Sequence, residues 1–164
     1  MTVTFNEDLI VRGTLIPSSV SLPANVITTS TQVQAGANLN ADKTEQRVYP
    51  SWTQPNTAST TETRTLFVAR RAGTVNEVIA GSIVAAIGDS TVTLDVKKNG
   101  TTILSAVITL DNANTARIIE SGSISGAGTF VAGDWFEVVI VATINTGTLP
   151  TGVFVQCEVD QDGA

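Results

Sequence analysis

Residues 90–110 read STVTLDVKKNGTTILSAVITL, and this stretch decides the fold. Val92, Leu94 and Val96 alternate with Thr93, Asp95 and Lys97, the two-residue period of a strand with one buried face. Asn99-Gly100 follows. Asn-Gly between two alternating runs predicts a tight β-hairpin, because both residues tolerate a positive φ. Two registers are open. A two-residue turn sets Val96 opposite Ile103 and Leu94 opposite Ser105. A three-residue turn with Gly100 as the bulge residue sets Leu94 opposite Leu104 and Val92 opposite Ala106; it matches apolar to apolar better and is the preferred one.

Working outward, the pattern predicts about eight strands from Glu62 on, over 62–70, 74–80, 82–87, 90–97, 101–110, 115–120, 134–143 and 152–160. Between them stand turn residues: Ala72-Gly73, Gly81, Gly88-Asp89, Asn99-Gly100, Asp111 to Asn114, the Gly-Ser run 121–128, Gly133-Asp134 and Asn145 to Gly152. Trp135 to Ala142, WFEVVIVA, is apolar on both phases and reads as a central strand. Val153, Val155, Cys157 and Val159 alternate with Gln156 and Glu158, which places the polar pair outward. Short strands at this spacing predict an all-β, antiparallel β-sandwich. The mix of short and long loops favours a jelly roll over an immunoglobulin topology, and no internal repeat is present.

Upstream the chain changes character. Residues 1–35 read as an extended N-terminal β-arm. Leu9, Val11 and Leu15 alternate with Ile10, Arg12 and Ile16, so both faces are largely apolar, and Pro17 and Pro23 interrupt any ladder. Such a segment either lies against another chain or is tucked onto the main domain. Residues 36–61 read as a connector. Ala35 to Gln46 holds the only candidate helix, with Asp42 and Glu45 spaced as in a capping box. Tyr49 and Trp52 follow, either as a contact site on the connector or folded back to cap the core. Residues 62–164 form the sandwich.

The chain has 164 residues, of which 15% are charged, against about a quarter in an average soluble domain. Its mean hydropathy is +0.21. A Thr-coated β domain fits these values, and so does an obligate oligomer or a protein docked on a larger assembly. The net charge of −6 disfavours nucleic acid, whose phosphates require Lys and Arg. Arg70-Arg71 and Lys97-Lys98 build no basic stripe. Arg64, Arg70 and Arg71 could pair with acidic residues of a neighbouring subunit or simply mark a solvated strand end. No basic segment followed by an apolar run marks a secretory signal, and no apolar run is long enough to span a bilayer, so synthesis in a cytoplasm is expected, with no membrane partner.

The chain contains no histidine and one cysteine. This removes Ser-His-Asp and Cys-His catalysis, thiolate zinc sites and intramolecular disulfides. Cys157 falls on the apolar phase of its strand and reads as a buried structural thiol. No phosphate-binding glycine loop is present. A pair of carboxylates brought together by the fold could serve a glycoside hydrolase, but two Trp and one Tyr offer little to line a sugar cleft. Asp111, Asn112 and Asn114 could ligate calcium through oxygen or could form an ordinary turn, the better reading. The expectation is a non-enzyme with no catalytic residue, no cofactor and no metal.

The run GDSTVTLDVKKNGTTILSAVITLDNANTARIIESGSIS, with FVAGDWFEVVIVAT and GVFVQCEVD after it, resembles the β-sandwich head of capsid decoration (cement) and head-fibre proteins of tailed bacteriophages, including phages of cyanobacteria. VQAGANLNADKTEQ and RVYPSWTQ resemble the connector before that head, and DLIVRGTLIP is similar to the β-arms that tether such proteins to the particle. The resemblance implies a homotrimer on the outer surface of the virion, bound to the major capsid protein and stabilising the shell. Phe5, Leu9, Ile10, Val11 and Leu15 would then carry the capsid contact, and Tyr49 and Trp52 would help at the trimer base. The alternative is the receptor- or carbohydrate-binding head of a fibre or tail protein, with a host-surface glycan as partner. A glycan binder calls for Trp or Tyr on loops such as 121–128 or 145–151, and those loops hold none.

Overall fold

The computed structural model describes residues 46–162. Every helix or strand assigned among them is a strand, and every strand pairing is antiparallel. One sheet is centred on β4 (Gly73–Gly81) and β13 (Phe154–Gln161). The free side of β13 is shared by β1 (Gln46–Val48) and β2 (Ser51–Thr53), two pieces on either side of Tyr49-Pro50. The free side of β4 is shared in the same way by β9 (Glu120–Gly122) and β10 (Thr129–Phe130). The second sheet runs β3 (Glu62–Val68), β11 (Trp135–Thr143) and β6 (Thr91–Lys98), and ends on β7 (Thr101–Thr102) and β8 (Ile108–Leu110). A small pair, β5 (Ile87–Gly88) with β12 (Gly147–Thr148), stands apart from both.

Alternation in the sequence becomes one core between the sheets. Val75, Val78 and Ala80 of β4 and Val155, Cys157 and Val159 of β13 share it with Val92, Leu94 and Val96 of β6 and Phe136, Val138 and Ile140 of β11. Each Val, Leu or Ile side chain so buried contributes about 1.5–3 kcal/mol relative to exposure. Phe67 stacks on Phe136 with centroids 4.4 Å apart, and Phe130 meets both rings edge-on at 6.1 and 5.3 Å. Phe130 belongs to the first sheet and the other two to the second, so this triad ties the sheets together where Gln46, Gly73 and Gln161 also lie.

The hairpin takes the two-residue turn, which corrects the preferred three-residue register. Lys98 pairs with Thr101 and Lys97 with Thr102, and the Ile103 amide donates to the Val96 carbonyl at 2.9 Å. Asn99 and Gly100 have φ of 50° and 83°, the two positive values of a primed turn. The apolar match that favoured the other register is met differently. After Thr102 the chain leaves β6 and pairs with 123–125: Leu104 bridges Ile124, and the Ser125 amide donates to Ile103. It returns at β8, where Leu94 faces Ile108 and Val92 faces Leu110. The expected strand 101–110 is therefore two short strands around an excursion that buries Ile103 and Leu104.

Other boundaries also shift. The expected strand 82–87 is reduced to a bridge at Val84 and the start of β5, and 115–120 contributes only Glu120. Ser121 and Gly122 belong to β9 rather than to a turn, and β10 and β12 lie inside stretches read as loops. The stretch read as a connector supplies β1 and β2, and Gln46, at the end of the candidate helix, is in β1. Residues 35–45 of that helix and the arm at 1–35 lie outside the described residues.

Candidate functional site

The outer faces of the two sheets differ in chemistry. On the first, outward residues of β4 and β13 carry Glu77 opposite Glu158, with Asp160 beyond. Like charges opposite each other cost stability, and here neighbours offset them. Arg47 of β1 donates to Asp160 at 2.7 and 2.9 Å and reaches Glu158 at 3.0 Å. The hydrogen bond and charge of Asp160, then the charge of Glu158, hold the guanidinium above its already high range. A bulge at Asn76 turns its amide onto Asp160 at 2.6 Å, and the Ser121 hydroxyl donates to Glu77 at 3.3 Å. This face is charged and satisfied within itself.

On the second sheet the outward rows follow from the register. Val68 stands beside Trp135. Thr65, Glu137, Lys97 and Thr102 form the next row, then Thr63, Val139 and Asp95, then Val141, Thr93 and Thr109, then Thr143 and Thr91. Trp135 is 49% exposed, Val68 50% and Val141 43%. β11 is a central strand, as its two apolar phases predict, but its second phase is not covered. The signal was present in the sequence: the other strands of this sheet carry Thr on that phase, at 63, 65, 91, 93 and 109, and Thr marks a face the domain's own core does not fill.

A third apolar region caps the end away from Phe130. Ile83, Val84, Ile87 and Ile144 are exposed there, around the β5–β12 pair. That pair is tightly knit. The Asp89 amide donates to the Thr146 carbonyl at 2.7 Å, the Asn145 amide side chain to the Asp89 carbonyl at 3.1 Å, and the Thr146 hydroxyl to the Asp89 carboxylate at 3.3 Å.

Among the described residues, those singled out from sequence are dispersed. Tyr49 is exposed at the bend between β1 and β2, near Arg47, whereas Trp52 pairs with Val155 and packs partly buried against the core. Phe5, Leu9, Ile10, Val11 and Leu15 lie outside the described residues. Arg64 pairs with its own neighbour Glu62 at 2.5 Å. Asp111 accepts from the Ala113 amide at 2.8 Å and Asn114 from the Asp111 amide at 2.6 Å, so their oxygens serve a turn. Cys157 is buried, and desolvation pushes its thiol up to about 12, which leaves almost no thiolate at neutral pH. Among the described residues no three His, Cys, Asp or Glu are grouped to hold a metal, and no helix is long and apolar enough to cross a membrane. No protein-family model matches this chain, and no curated protein matches it.

Proposed function

We propose that this chain is a structural virion protein. In this reading it decorates the outer surface of a phage capsid as a homotrimer, binds the major capsid protein through its N-terminal arm, and stabilises the shell. The strand order supports a jelly roll. With each divided edge counted as one strand, the eight strands in chain order are β1/β2, β3, β4, β6, β7/β8, β9/β10, β11 and β13. The first, eighth, third and sixth form one sheet and the second, seventh, fourth and fifth the other. The resemblance of residues 88–160 to the heads of decoration proteins supports the same reading.

The observation that carries the oligomer is the uncovered phase of β11. A chain of net charge −6 repels its own copies, and the face of the first sheet, with Glu77, Glu158 and Asp160 against Arg47, would add to that repulsion. The second face sets Lys97 between Glu137 and Asp95 among Thr and aliphatic side chains, so it suits a second copy of this chain. Turned toward a three-fold axis, one side of the face on each copy meets the other side on the next. Four strands at about 4.8 Å and seven residues at about 3.3 Å give roughly 450 Å² per copy. A stable interface takes about 800 Å² per partner. The rest would come from Tyr49 and from exposed side chains that border the face.

Each copy that binds only the assembled shell adds its binding free energy to that shell, a linkage effect. Co-sedimentation with undecorated capsids tests the arm. Deleting residues 1–30 is expected to leave a folded trimer that no longer pellets with capsids. Full decoration by the truncated protein would overturn the arm assignment.

A further inference from the structure

Asn99-Gly100 is the one Asn-Gly pair in the chain. In such a pair the glycine amide can attack the side-chain carbonyl, because glycine offers no side chain to block it. The Gly100 nitrogen bonds to Cγ of Asn99, the side-chain nitrogen leaves as ammonia, and a succinimide forms. Water then opens the ring at either carbonyl, giving aspartate or isoaspartate. The net change is amide plus water to acid plus ammonia. Asn99 and Gly100 are both exposed, and nothing lies within 4 Å of where a Gly100 Cβ would be. On access alone the pair should react.

The fold opposes this in two ways. First, the primed turn holds Asn99 at φ 50° and Gly100 at φ 83°. Ring closure needs the Gly100 nitrogen swung toward the side chain, a rotation that the paired Lys98–Thr101 ends resist. Second, both ends of the Asn99 carboxamide are engaged. Its nitrogen donates to Asp134 Oδ1 at 2.7 Å, and its oxygen accepts from the Trp135 amide at 2.9 Å. The Asn99 amide donates in turn to the Trp135 carbonyl at 2.9 Å. Asp134 is itself anchored: its other oxygen accepts from the Val131 amide at 2.9 Å, and its backbone carbonyl accepts from Ala69 at 2.8 Å. The hairpin tip and the 131–135 turn thus form one clasp.

We propose that Asn99-Gly100 is a latent deamidation site, closed by the clasp to Asp134 and Trp135 in the folded protein and opened when the 131–135 turn lets go. The product cannot restore the clasp. The product carboxylate has lost the donor that met Asp134 and faces that carboxylate with like charge. Isoaspartate also lengthens the two-residue loop by one backbone atom, which the β6–β7 register cannot absorb. Once formed, the product holds the clasp open.

The test follows the full-length protein in mildly alkaline buffer at body temperature, with peptide mapping that separates Asn99 from its aspartate and isoaspartate products. Native protein is expected to react at Asn99 at least about tenfold more slowly than protein in concentrated urea, since only the open fraction reacts. Equal rates would overturn the proposal. Asp134→Ala should raise the native rate several-fold. A rate unchanged by that substitution, in a variant that keeps its β-sheet circular dichroism, would show that the clasp is not what protects. If Asp134→Ala does not fold, the wild type in rising sub-denaturing urea decides. Acceleration before the global transition supports local opening of the clasp, and acceleration only with global unfolding overturns it.

Discussion

Two glycines with positive φ show how local geometry sets the cost of a single atom. Gly100, at φ 83°, has open space where a Cβ would stand, so Gly100→Ala should cost only the left-handed backbone, about 1 kcal/mol. Gly147, at φ 112°, would set its Cβ 1.9 Å from the Ile87 carbonyl oxygen and 3.0 Å from the Gly88 nitrogen. Those neighbours are backbone and cannot rotate aside. Gly147→Ala should therefore cost at least about 1–3 kcal/mol and separate β5 from β12, read as a lower urea midpoint and as faster amide exchange at Asp89, whose amide bonds Thr146. Glu62 sets an acid limit. Burial alone would push its carboxyl up, but hydrogen bonds from Gln54 and Arg64 and the charge of Arg64 outweigh it and hold the group below its ordinary value. A carboxyl depressed on folding contributes stability above its unfolded pKa and loses it as pH falls through the folded one. Asp134, held down by the Val131 amide and the Asn99 side chain, acts with the same sign. Urea midpoints should thus be flat near neutrality and decline once pH drops below the ordinary carboxylate range. Glu62→Gln should lower the neutral plateau and shallow that decline. A decline as steep as in the wild type would mean that Glu62 does not contribute to it.

At the scale of the strand, β11 carries two faces with opposite duties. Phe136 is fully buried and stacked on Phe67, so Phe136→Ala should cost about 3–5 kcal/mol. Trp135, one residue away, points outward beside Val68, and Trp135→Ala should move the unfolding midpoint of the isolated chain little. Paired urea melts at low protein concentration check both. The alternation that separates these residues was legible in the sequence, as were the hairpin turn, the central position of β11 and the burial of Cys157. The register beyond the turn was not. Apolar residues at Ile103 and Leu104 suited two pairings in the hairpin, whereas the chain takes them out of it, onto 123–125, a contact between segments twenty residues apart. Strands of two or three residues such as β5, β10 and β12 were also invisible, because their pairing is set by partners distant in the chain and not by their own period. The apolar outward phase of β11 was legible as well, but composition says that such a face calls for cover and does not say by what.

For the whole molecule, that uncovered face makes the oligomer testable without a capsid. If copies associate through the outer face of the β3–β11–β6 sheet, light scattering on the full chain at micromolar concentration should give three times the chain mass. Val141→Lys and Trp135→Lys should lower that mass toward one chain, because each places a desolvated charge in the contact. Neither side chain belongs to the core, so the far-ultraviolet circular dichroism should stay that of the parent. Ile87→Lys, on the β5–β12 pair and outside that face, is the matched control for added charge on an exposed aliphatic and should leave the trimer intact. Loss of the trimer in the Ile87 variant with its retention in the other two would move the contact to the β5–β12 end. A wild-type chain that stays monomeric would remove the oligomer altogether. The low charge content would then be explained by the Thr coat alone, and the acidic, internally satisfied face of the first sheet would carry the solubility of a single sandwich.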